Sequence, residues 1–275
     1  MTTTVSARTA SLLSDDEAQD KARQLYEARR TRVAIEPFTD AQPQLGMADG
    51  YAVQSRLTRM ILADGDTIAG YKVGLTSKPM QRLIGVSSPD YGPVLTSTLY
   101  GDHDEVPMSR FIQPKMEAEI VFVLGEGLQG PGVTATRAAR AIAGAVAAVE
   151  IVDSRFADWR IKLADTVSDL ASNGAAAVAS RVVPIEGVDT RLIGMVLTRN
   201  GDVVDTGAGA AALGDPVAVV AWLANTLGEV GVALQPGHLV MTGALHAAVP
   251  MAAGDVFRAE FDRLGAISLR VVAGQ

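Results

Sequence analysis

The chain has 275 residues, of which 48% are hydrophobic and 20% are charged, so it has enough apolar material for a packed core and is not a disordered chain. Its net charge is −7 and it has no lysine/arginine cluster, which makes nucleic acids and anionic membrane surfaces poor partners. The absence of cysteine excludes disulfides, thiolate nucleophiles and cysteine-ligated zinc, and it is consistent with a reducing compartment.

Two segments bear on membrane targeting. Residues 1–13 are small and polar, and they lack the apolar stretch that a signal peptide needs. The most apolar window, residues 138–152, is shorter than a membrane span and contains Arg140 and Glu150, so we expect it in the protein interior. The sequence therefore predicts a cytoplasmic protein that does not enter a membrane.

Helical patterns dominate residues 1–66. Ser14 and Glu17 form a capping-box pattern, which predicts a helix from there to about Arg30. A second amphipathic helix is predicted over residues 47–62, where apolar side chains recur at helical spacing, and a loop with two prolines separates the two helices. We therefore predict a helical N-terminal region.

Residues 67–275 have the short apolar runs, separated by glycine and proline, that are typical of β-strands. The Asn200-Gly201 pair predicts a type I′ hairpin, because both central residues of that turn need positive φ. One helix is predicted at residues 215–228, with Asp215 as its cap and Pro216 at its first position. The strands are predicted at residues 68–75, 117–124, 192–199, 202–206, 237–242, 255–261 and 266–272. No linker separates this β-rich domain from the helical region, so we expect one continuous globular unit.

Three glutamates are candidate metal ligands. Glu117 and Glu119 are two residues apart on a predicted strand, so their side chains point to the same face with Cα atoms roughly 6.5–7 Å apart. Taken alone, this pair is more typical of a solvated strand face. Glu150, however, ends the apolar run at residues 141–149, and burying a lone carboxylate there is costly without a compensating cation or hydrogen bonds. Together the three carboxylates predict an all-oxygen site for Mg²⁺ or Mn²⁺.

Lys72 is open to two interpretations. It lies on a predicted strand between Gly70 and Gly74, which allow another chain or a ligand to approach closely. The alternative is a lysine on an edge strand that extends its ammonium group into solvent.

Charged residues alternate over residues 153–169. This pattern is typical of a solvated face, in which Asp153 with Arg155 and Asp158 with Lys162 form pairs on a helix. On the pattern alone, we expect no function for this segment.

Seven motifs in colinear order resemble a known family. Together they cover nearly all of the chain after residue 45, and they resemble the hydratase/decarboxylase branch of the fumarylacetoacetate hydrolase-like superfamily. The resemblance implies an α+β fold in which the helical N-terminal region packs on a large mixed β-roll, the catalytic domain. The motifs are "GYKVGLTSK", "SPDYG", "KMEAEIVFVL", "VEIVDSRFADWRIKLADTVSD", "TGAGAAALGDP", "VAWLANTL" and "LVMTGALHAAVP".

The same resemblance assigns roles to individual residues. It implies that the three glutamates match the metal-ligating carboxylates of the family, and that Lys72 and Asp90 match its active-site lysine and aspartate. Asp169 is retained, and Ser172 falls where family members present a serine, so it is a third candidate catalytic residue. Leu170 departs from the pattern, because asparagine is expected at that position.

The resemblance also implies an activity. The expected reaction is metal-dependent addition of water to 2-hydroxypenta-2,4-dienoate, a small 2-oxo acid of aromatic meta-cleavage pathways. Three carboxylates and a divalent cation sum to −1, so an anionic substrate needs another positive group, for which Lys72 is the first candidate and Arg155 or Lys162 a weaker one. Lys72 and Asp90 are expected to tune each other's pKa for proton transfer. His246 is a lesser candidate for approaching the substrate.

Three other functions remain open from the sequence. The first is decarboxylation of 2-oxo-3-hexenedioate, which would use the same metal-chelated enolate but expel CO₂ instead of adding water. The second is hydrolysis of a C–C bond, which needs a histidine–carboxylate pair, and no histidine lies near the acidic motifs in sequence. The third is a non-catalytic partner subunit. The family resemblance further predicts a homo-oligomer and association with a pathway aldolase or decarboxylase.

Overall fold

Three helices come first along the chain. In the computed structural model, which describes residues 11–77, 81–82 and 86–274, they are α1 (Asp15–Thr31), α2 (Phe38–Ala41) and α3 (Met47–Ala63). The predicted capping box of α1 is confirmed, because the Glu17 amide donates to Ser14 Oγ at 3.3 Å and the Ser14 amide donates to Glu17 Oε2 at 2.8 Å. The short helix α2 was not predicted and lies in the expected loop.

The strands form two sheets, one of eight strands and one of five. In chain order they are β1 (Ile68–Gly74), β2 (Asp90–Leu95), β3 (Leu99–Tyr100), β4 (Glu105–Pro107), β5 (Lys115–Leu124), β6 (Ile142–Val152), β7 (Asn173–Val178), β8 (Gly194–Arg199), β9 (Asp202–Ala208), β10 (Leu239–Met241), β11 (Val249–Pro250), β12 (Val256–Phe261) and β13 (Gly265–Val272). The large sheet has the order β2-β1-β10-β5-β6-β7-β3 with β11 on β5, and the small sheet has the order β4-β13-β12-β8-β9. Parallel and antiparallel pairs occur in both, so the predicted mixed β architecture is confirmed.

The predicted hairpin lies in the small sheet. Strands β8 and β9 pair antiparallel, and their connection has φ of 57° at Asn200 and 93° at Gly201. Both central residues therefore have the positive φ that the Asn-Gly pair predicted.

Within the described residues, three further helices accompany the sheets. They are α4 (Ala135–Ala141), α5 (Leu163–Ser168) and α6 (Pro216–Gly228). The sequence predicted only α6, and its cap is as expected, because Asp215 Oδ1 accepts a hydrogen bond from the Val217 amide at 3.0 Å. The segment Gly209–Gly228 is apolar and long enough to cross a membrane by composition, but half of it is buried in the protein. Leu223 and Leu227 of α6 belong to the main hydrophobic core.

The N-terminal helices share a hydrophobic cluster with the β-rich part of the chain. Leu25 of α1 and Leu57 of α3 pack in one cluster with Phe156 and Leu170, and all four side chains are buried. Phe38 contacts Phe156 edge to face, with ring centroids 5.0 Å apart. The helices are therefore packed directly on the segment that follows β6.

The prediction of a solvated helical face at residues 153–169 is wrong at both ends of the segment. Asp153, Arg155 and Asp169 are buried, and Arg155 Nε donates to Asp169 Oδ1 at 2.6 Å. Asp158 is exposed but has φ of 57° in a short 3-10 turn, so it does not form the helical pair expected with Lys162. Alternating charge has the same appearance in a sequence whether the ions meet solvent or pair inside the protein. In this structure the ion pair of Arg155 with Asp169 takes the place of hydration by solvent.

Candidate metal centre

The pairing of β5 with β6 brings the three glutamates together. Glu117 lies directly opposite Glu150 in the antiparallel register, and Glu119 follows two residues later on the same face of β5. Carboxylate oxygens of the three residues lie within 4.8 Å of one another. Glu119 and Glu150 are fully buried, whereas Glu117 is half-buried. The predicted convergence of these side chains is therefore found in the structure.

In Glu119 and Glu150, one carboxylate oxygen accepts a hydrogen bond and the other does not. Asn173 Nδ2 donates to Glu150 Oε1 at 2.9 Å, and the Gly243 amide donates to Glu119 Oε2 at 2.9 Å. Among the described residues, Glu119 Oε1 and Glu150 Oε2 accept no hydrogen bond, although Lys72 Nζ lies 3.2 Å from the latter. Buried polar atoms without partners are rare in folded proteins, and oxygens are the ligands that hard divalent cations prefer. These residues therefore fit a divalent cation.

The crowding of carboxylates changes their protonation. Burial, and then the charge of Glu150, raises the pKa of Glu117 to about 7. The same two causes raise the pKa of Glu119 well above its usual value. Without a cation, the cluster therefore holds a proton near neutral pH, because three adjacent negative charges cannot all be sustained away from water.

Lys72 is buried beside the cluster. Its strand β1 lies between β2 and β10, so it is not an edge strand, and the alternative of a solvent-directed lysine is wrong. Nζ donates to the Ala171 carbonyl at 2.9 Å and forms an ion pair with Glu150. Burial lowers the pKa of Lys72, but the charges of Glu150 and Asp90 outweigh it and the net shift of the pKa is upward. The lysine is therefore positively charged in this arrangement.

Asp90 lies at the start of β2, opposite Gly74 of β1. A Cβ at Gly74 would lie 2.2 Å from Asp90 Oδ1 and 3.5 Å from Lys72 Nζ, so the absence of a side chain at Gly74 leaves room for both groups. Asp90 Oδ1 is buried without a hydrogen-bond partner among the described residues. Burial raises the pKa of Asp90, and Lys72 partly offsets that increase. The two residues thus influence each other as expected, although the carboxylate in salt-bridge contact with Lys72 is Glu150.

The segment after α5 forms a left-handed turn. Leu170, Ala171 and Ser172 have φ values of 53°, 54° and 56°, a conformation that non-glycine residues rarely adopt. The turn presents the Ala171 carbonyl to Lys72, while the Ser172 hydroxyl lies 3.0 Å from Thr166 Oγ1. Ser172 is therefore next to the site, and its recorded side-chain contact is with Thr166.

Leu170 departs from the family pattern for a visible reason. Its side chain is fully buried in the cluster formed with the N-terminal helices, where a polar asparagine would need a hydrogen-bond partner. Its carbonyl would lie 2.2 Å from a Cβ at Gly92, so the turn also packs tightly on β2. Packing thus holds the turn in place despite its unfavourable φ values.

The sequence did not identify two groups that hold the glutamates. Asn173 is a fully buried amide at the start of β7 and fixes Glu150. Gly243, with φ of 100°, places its amide against Glu119. The signal for Asn173 is an amide directly before the apolar strand "GAAAV", and the signal for Gly243 is a glycine directly after a buried strand.

His246 supports the strand that carries two of the glutamates. Its Nε2 accepts a hydrogen bond from the Ala118 amide at 2.7 Å, and its Nδ1 lies 2.6 Å from the Ala247 carbonyl and 3.7 Å from Asp205 Oδ2. Burial lowers the pKa of His246, so the ring is neutral near pH 7. Because backbone groups engage both nitrogens, the ring positions β5.

His238 and His103 lie outside the cluster of glutamates. His238 packs against the Tyr71 ring with centroids 5.9 Å apart, and its Nδ1 accepts a hydrogen bond from the Gln235 amide at 3.2 Å. His103 is exposed. Neither is placed to act as an acid or base beside the glutamates.

Comparisons with known proteins agree with this architecture. Residues 77–272 match the family model described as fumarylacetoacetate (FAA) hydrolase, C-terminal. A "2-keto-4-pentenoate hydratase" of Paraburkholderia xenovorans is 39% identical over 263 residues, which are 96% of this chain and 98% of the relative. A "2-hydroxypent-2,4-dienoate hydratase" of Pseudomonas putida is 41% identical over 211 residues, which are 76% of this chain and 95% of the relative.

A solved structure has a similar fold over nearly the whole chain. It is the 4-oxalocrotonate decarboxylase of Pseudomonas putida G7, complexed with magnesium and adipate. The superposition has a TM-score of 0.92 at 36% sequence identity and covers 95% of this chain and 100% of the decarboxylase. The α+β fold with its helical N-terminal region is therefore shared along the length of both chains.

The contact between Asn173 and Glu150 generates the first prediction. Replacing Asn173 with alanine removes the hydrogen bond that orients Glu150, so divalent cations should bind about 10- to 100-fold more weakly. A Mn²⁺ titration followed by electron paramagnetic resonance measures this affinity directly.

The matched control is Asn225→Ala. The Asn225 side chain bonds the backbone of Val133, and Asn225 is not among the clustered carboxylates or their bonding partners. Its loss should leave the Mn²⁺ affinity unchanged. Equal affinities for the Asn173→Ala variant and the unmodified protein would show that Asn173 does not position a ligand.

The raised pKa of Glu117 generates the second prediction. The ordinary glutamate pKa is 4.5, so between there and about 7 the folded state holds a proton that the unfolded state has lost. The metal-free protein should therefore lose stability as pH rises through this window, by up to about tenfold in the folding equilibrium constant per pH unit for one proton. Thermal or urea unfolding across this window, in the presence of a chelator, measures the slope.

Two variants and added Mg²⁺ test which group causes the dependence of stability on pH. Glu117→Gln should flatten it, because the amide does not titrate, whereas Glu126→Gln at an exposed position should leave it unchanged. Saturating Mg²⁺ should displace the proton and also flatten the slope. An identical slope in Glu117→Gln would place the titration at another group.

Proposed function

The chain belongs to the fumarylacetoacetate hydrolase family, and we propose that it is a metal-dependent hydratase of aromatic meta-cleavage catabolism. The proposed reaction adds water to 2-hydroxypenta-2,4-dienoate, in its 2-oxopent-4-enoate form, to give 4-hydroxy-2-oxopentanoate. The observation that carries the proposal is the cluster of three glutamates, two of them fully buried, beside Lys72. Near full-length similarity to hydratases supports the choice of reaction.

A divalent cation is part of the proposal. We assign Glu117, Glu119 and Glu150 as its ligands and Mg²⁺ or Mn²⁺ as the ion, since the donor set is made only of oxygens. Such a cation supplies Lewis-acid polarisation of a 2-oxo acid when it is bound. The similar decarboxylase structure was obtained with magnesium, which supports a divalent ion at this position.

Lys72 completes the charge balance. Three carboxylates with a divalent cation sum to −1, and the lysine brings the total to zero before an anionic substrate enters. The sequence left Arg155 and Lys162 open for this role, but Arg155 is paired with Asp169 and the Lys162 side chain is exposed. Lys72 donates one of its three N–H groups to the Ala171 carbonyl and is ion-paired with Glu150, which leaves an N–H group for a substrate oxygen.

Asp90 is proposed to carry protons together with Lys72. The pKa of Asp90 is raised by burial, so it can hold a proton and deliver it to C5 of the substrate. Protonation at C5 with loss of the C2 hydroxyl proton gives 2-oxopent-3-enoate, in which the C3–C4 double bond is conjugated with the C2 carbonyl. Water then adds at C4 and C3 takes up a proton. We assign Ser172 to the same wall of the site, where with Thr166 it holds the left-handed turn that contacts Lys72.

One alternative reaction is supported by a specific observation. The similar fold of 4-oxalocrotonate decarboxylase favours decarboxylation of 2-oxo-3-hexenedioate as the second candidate. Hydrolysis of a C–C bond is less favoured, because the ring of His246 is engaged by backbone groups at both nitrogens. A non-catalytic partner subunit is also less favoured, because such a protein has no use for buried, unpaired carboxylate oxygens.

Other properties stay predictions. We expect a cytoplasmic protein that binds neither nucleic acid nor membranes, and that forms a homo-oligomer. Association with a pathway aldolase or decarboxylase is a further expectation from the family. Sedimentation at micromolar concentration would test the homo-oligomer.

Product analysis with two substrates tests the proposed reaction. With Mg²⁺ present, 2-hydroxypenta-2,4-dienoate should give 4-hydroxy-2-oxopentanoate, detected by chromatography and mass spectrometry. Supplied in parallel, 2-oxo-3-hexenedioate should release little CO₂. Rapid CO₂ release without hydration of the dienoate would make the protein a decarboxylase.

Glu119→Gln is the metal-site control for that assay. A neutral amide is a weaker ligand for a hard cation, so the variant should lose the Mg²⁺-dependent activity while it keeps its fold by circular dichroism. Full activity of this variant at limiting metal would locate the cation elsewhere.

Substitutions of Lys72 distinguish the role of its positive charge from a role in proton transfer. Lys72→Ala should impair both substrate binding and turnover. Lys72→Arg restores the charge, but guanidinium stays protonated at any working pH, so KM should partly recover while kcat stays low. Steady-state kinetics of both variants provides the comparison, with the exposed Lys162→Arg as the matched control. A wild-type kcat for Lys72→Arg would make the lysine an anchor and leave proton transfer to Asp90.

A further inference from the structure

A polar cavity lies apart from the glutamates. Its volume is about 80 Å³, and neither Lys72 nor the three glutamates line it. Four arginines do: Arg29 at the end of α1, Arg32 just after it, Arg110 before β5, and Arg155 after β6. Such convergence of guanidinium groups is unusual in a chain whose net charge is −7.

Arg29 lies in the wall of this cavity with only one recorded hydrogen bond. Its Nη1 donates to the Asn173 carbonyl at 3.1 Å, and in the described part of the chain no carboxylate lies within salt-bridge distance of it. Burial, and then the charge of Arg155, lowers the pKa of Arg29 to about 10. A guanidinium group has five N–H donors, so most of those of Arg29 are available to a ligand.

The other two arginines are exposed and flank the cavity. Arg110 donates to the Tyr100 hydroxyl at 3.0 Å and to the Ser97 carbonyl at 3.2 Å, and Arg32 donates to the Arg30 carbonyl at 2.6 Å. All three acceptors are neutral. Over the described residues, neither arginine has a carboxylate within salt-bridge distance, so both positive charges remain uncompensated.

Asp153 and Asp169, the carboxylates beside Arg155, already have ion-pair or hydrogen-bond partners. Arg155 is paired with Asp169 at 2.6 Å and lies 3.6 Å from Asp153. Asp153 also accepts hydrogen bonds from the amides of Ile112 and Gln113. Four guanidinium groups face Asp153 and Asp169, and the charge of Asp66 also acts on Arg29, which leaves an excess of one positive charge around a partly buried cavity.

We propose that this cavity binds a small divalent oxyanion, either inorganic phosphate or a short dicarboxylate. The size of the cavity admits a group of a few non-hydrogen atoms, and guanidinium groups bind phosphate and carboxylate through paired N–H donors. Arg29 forms the inner contact, and Arg32 and Arg110 close over the anion from the solvent side.

Asn173 connects the proposed anion site to Glu150, a proposed metal ligand. The Asn173 carbonyl accepts hydrogen bonds from both Arg29 and Arg155, while the Asn173 side chain donates to Glu150. An anion held by Arg29 therefore acts on the same residue that orients a metal ligand. Binding of the anion does not depend on the reaction catalysed, so failure of the hydratase proposal would leave this inference intact.

Thermal unfolding with added anions tests the proposal. Phosphate, succinate and chloride are compared at constant ionic strength, with a chelator in one series and saturating Mg²⁺ in another. Phosphate or succinate should raise Tm with a saturable dependence that chloride lacks. The anion that saturates at the lower concentration identifies the preferred ligand.

A neighbouring residue provides the matched control. Arg29→Gln should raise the half-saturating concentration about tenfold, because it removes a charge-assisted hydrogen bond. Arg30→Gln removes the same charge from the same helix, but Arg30 is exposed and paired with Glu27, so its response should equal that of the unmodified protein. If Arg29→Gln fails to fold, Arg110→Gln at the exposed side serves the same comparison.

Two outcomes would overturn the proposal. Equal responses of Arg29→Gln and Arg30→Gln, or an equal effect of chloride, would reduce the effect to general screening of charge. If the anions have no effect and Arg29→Gln or Arg110→Gln shifts the sedimentation coefficient to a smaller species, the cavity receives a carboxylate from a second copy of the chain.

Discussion

The direct pairing of Glu117 with Glu150 across β5 and β6 is the constraint on which the rest of the site depends. A shift of the register by one residue would turn one carboxylate to the opposite face of the sheet, so the ligand cluster exists only in this alignment. The alignment also brings like charges together away from water. Lys72, the Asn173 side-chain amide and the Gly243 N–H contact these carboxylates and offset their repulsion. Glu119 Oε1 and Glu150 Oε2 accept no hydrogen bond among the described residues, and these are the oxygens that we propose for a divalent cation.

The left-handed turn at residues 170–172 connects the helical region to that cluster. Three consecutive positive φ values are unfavourable, and they persist because the surroundings fix them. Leu170 is buried with α1 and α3, and just before it Asp169 holds Arg155. The helices therefore do more than cover the sheet, since they stabilise the turn whose carbonyl contacts Lys72.

Local patterns in the sequence predicted the parts of the structure that local interactions determine. The capping box at Ser14 and the hairpin at Asn200-Gly201 depend on neighbours within three residues, and both are found. The three glutamates were recognisable because a carboxylate beside an apolar run is costly. Asn173 and Gly243 were not recognisable, because their partners lie 23 and 124 residues away and only the sheet pairing brings them together. The burial of Asp153, Arg155 and Asp169 was missed because charge alternation does not reveal where the opposite charges lie.

The charge balance of the site also separates the two candidate reactions. Both need the same polarisation of the 2-oxo acid, so the glutamates and Lys72 serve hydration and decarboxylation equally well. They differ in substrate charge, because the dienoate carries one carboxylate and the hexenedioate carries two. With a divalent cation, three glutamates and one lysine the site is neutral, and in the part of the chain that the structure describes the nearby Arg155 is already paired with Asp169. A second carboxylate would therefore need a cation outside this set, and Lys115 of β5, whose charge also acts on Glu117, lies over the Trp159 ring with Nζ 4.2 Å from its centroid. The electrostatics thus separate the two substrates by their second carboxylate, and the similarity to hydratases favours the monoanionic dienoate.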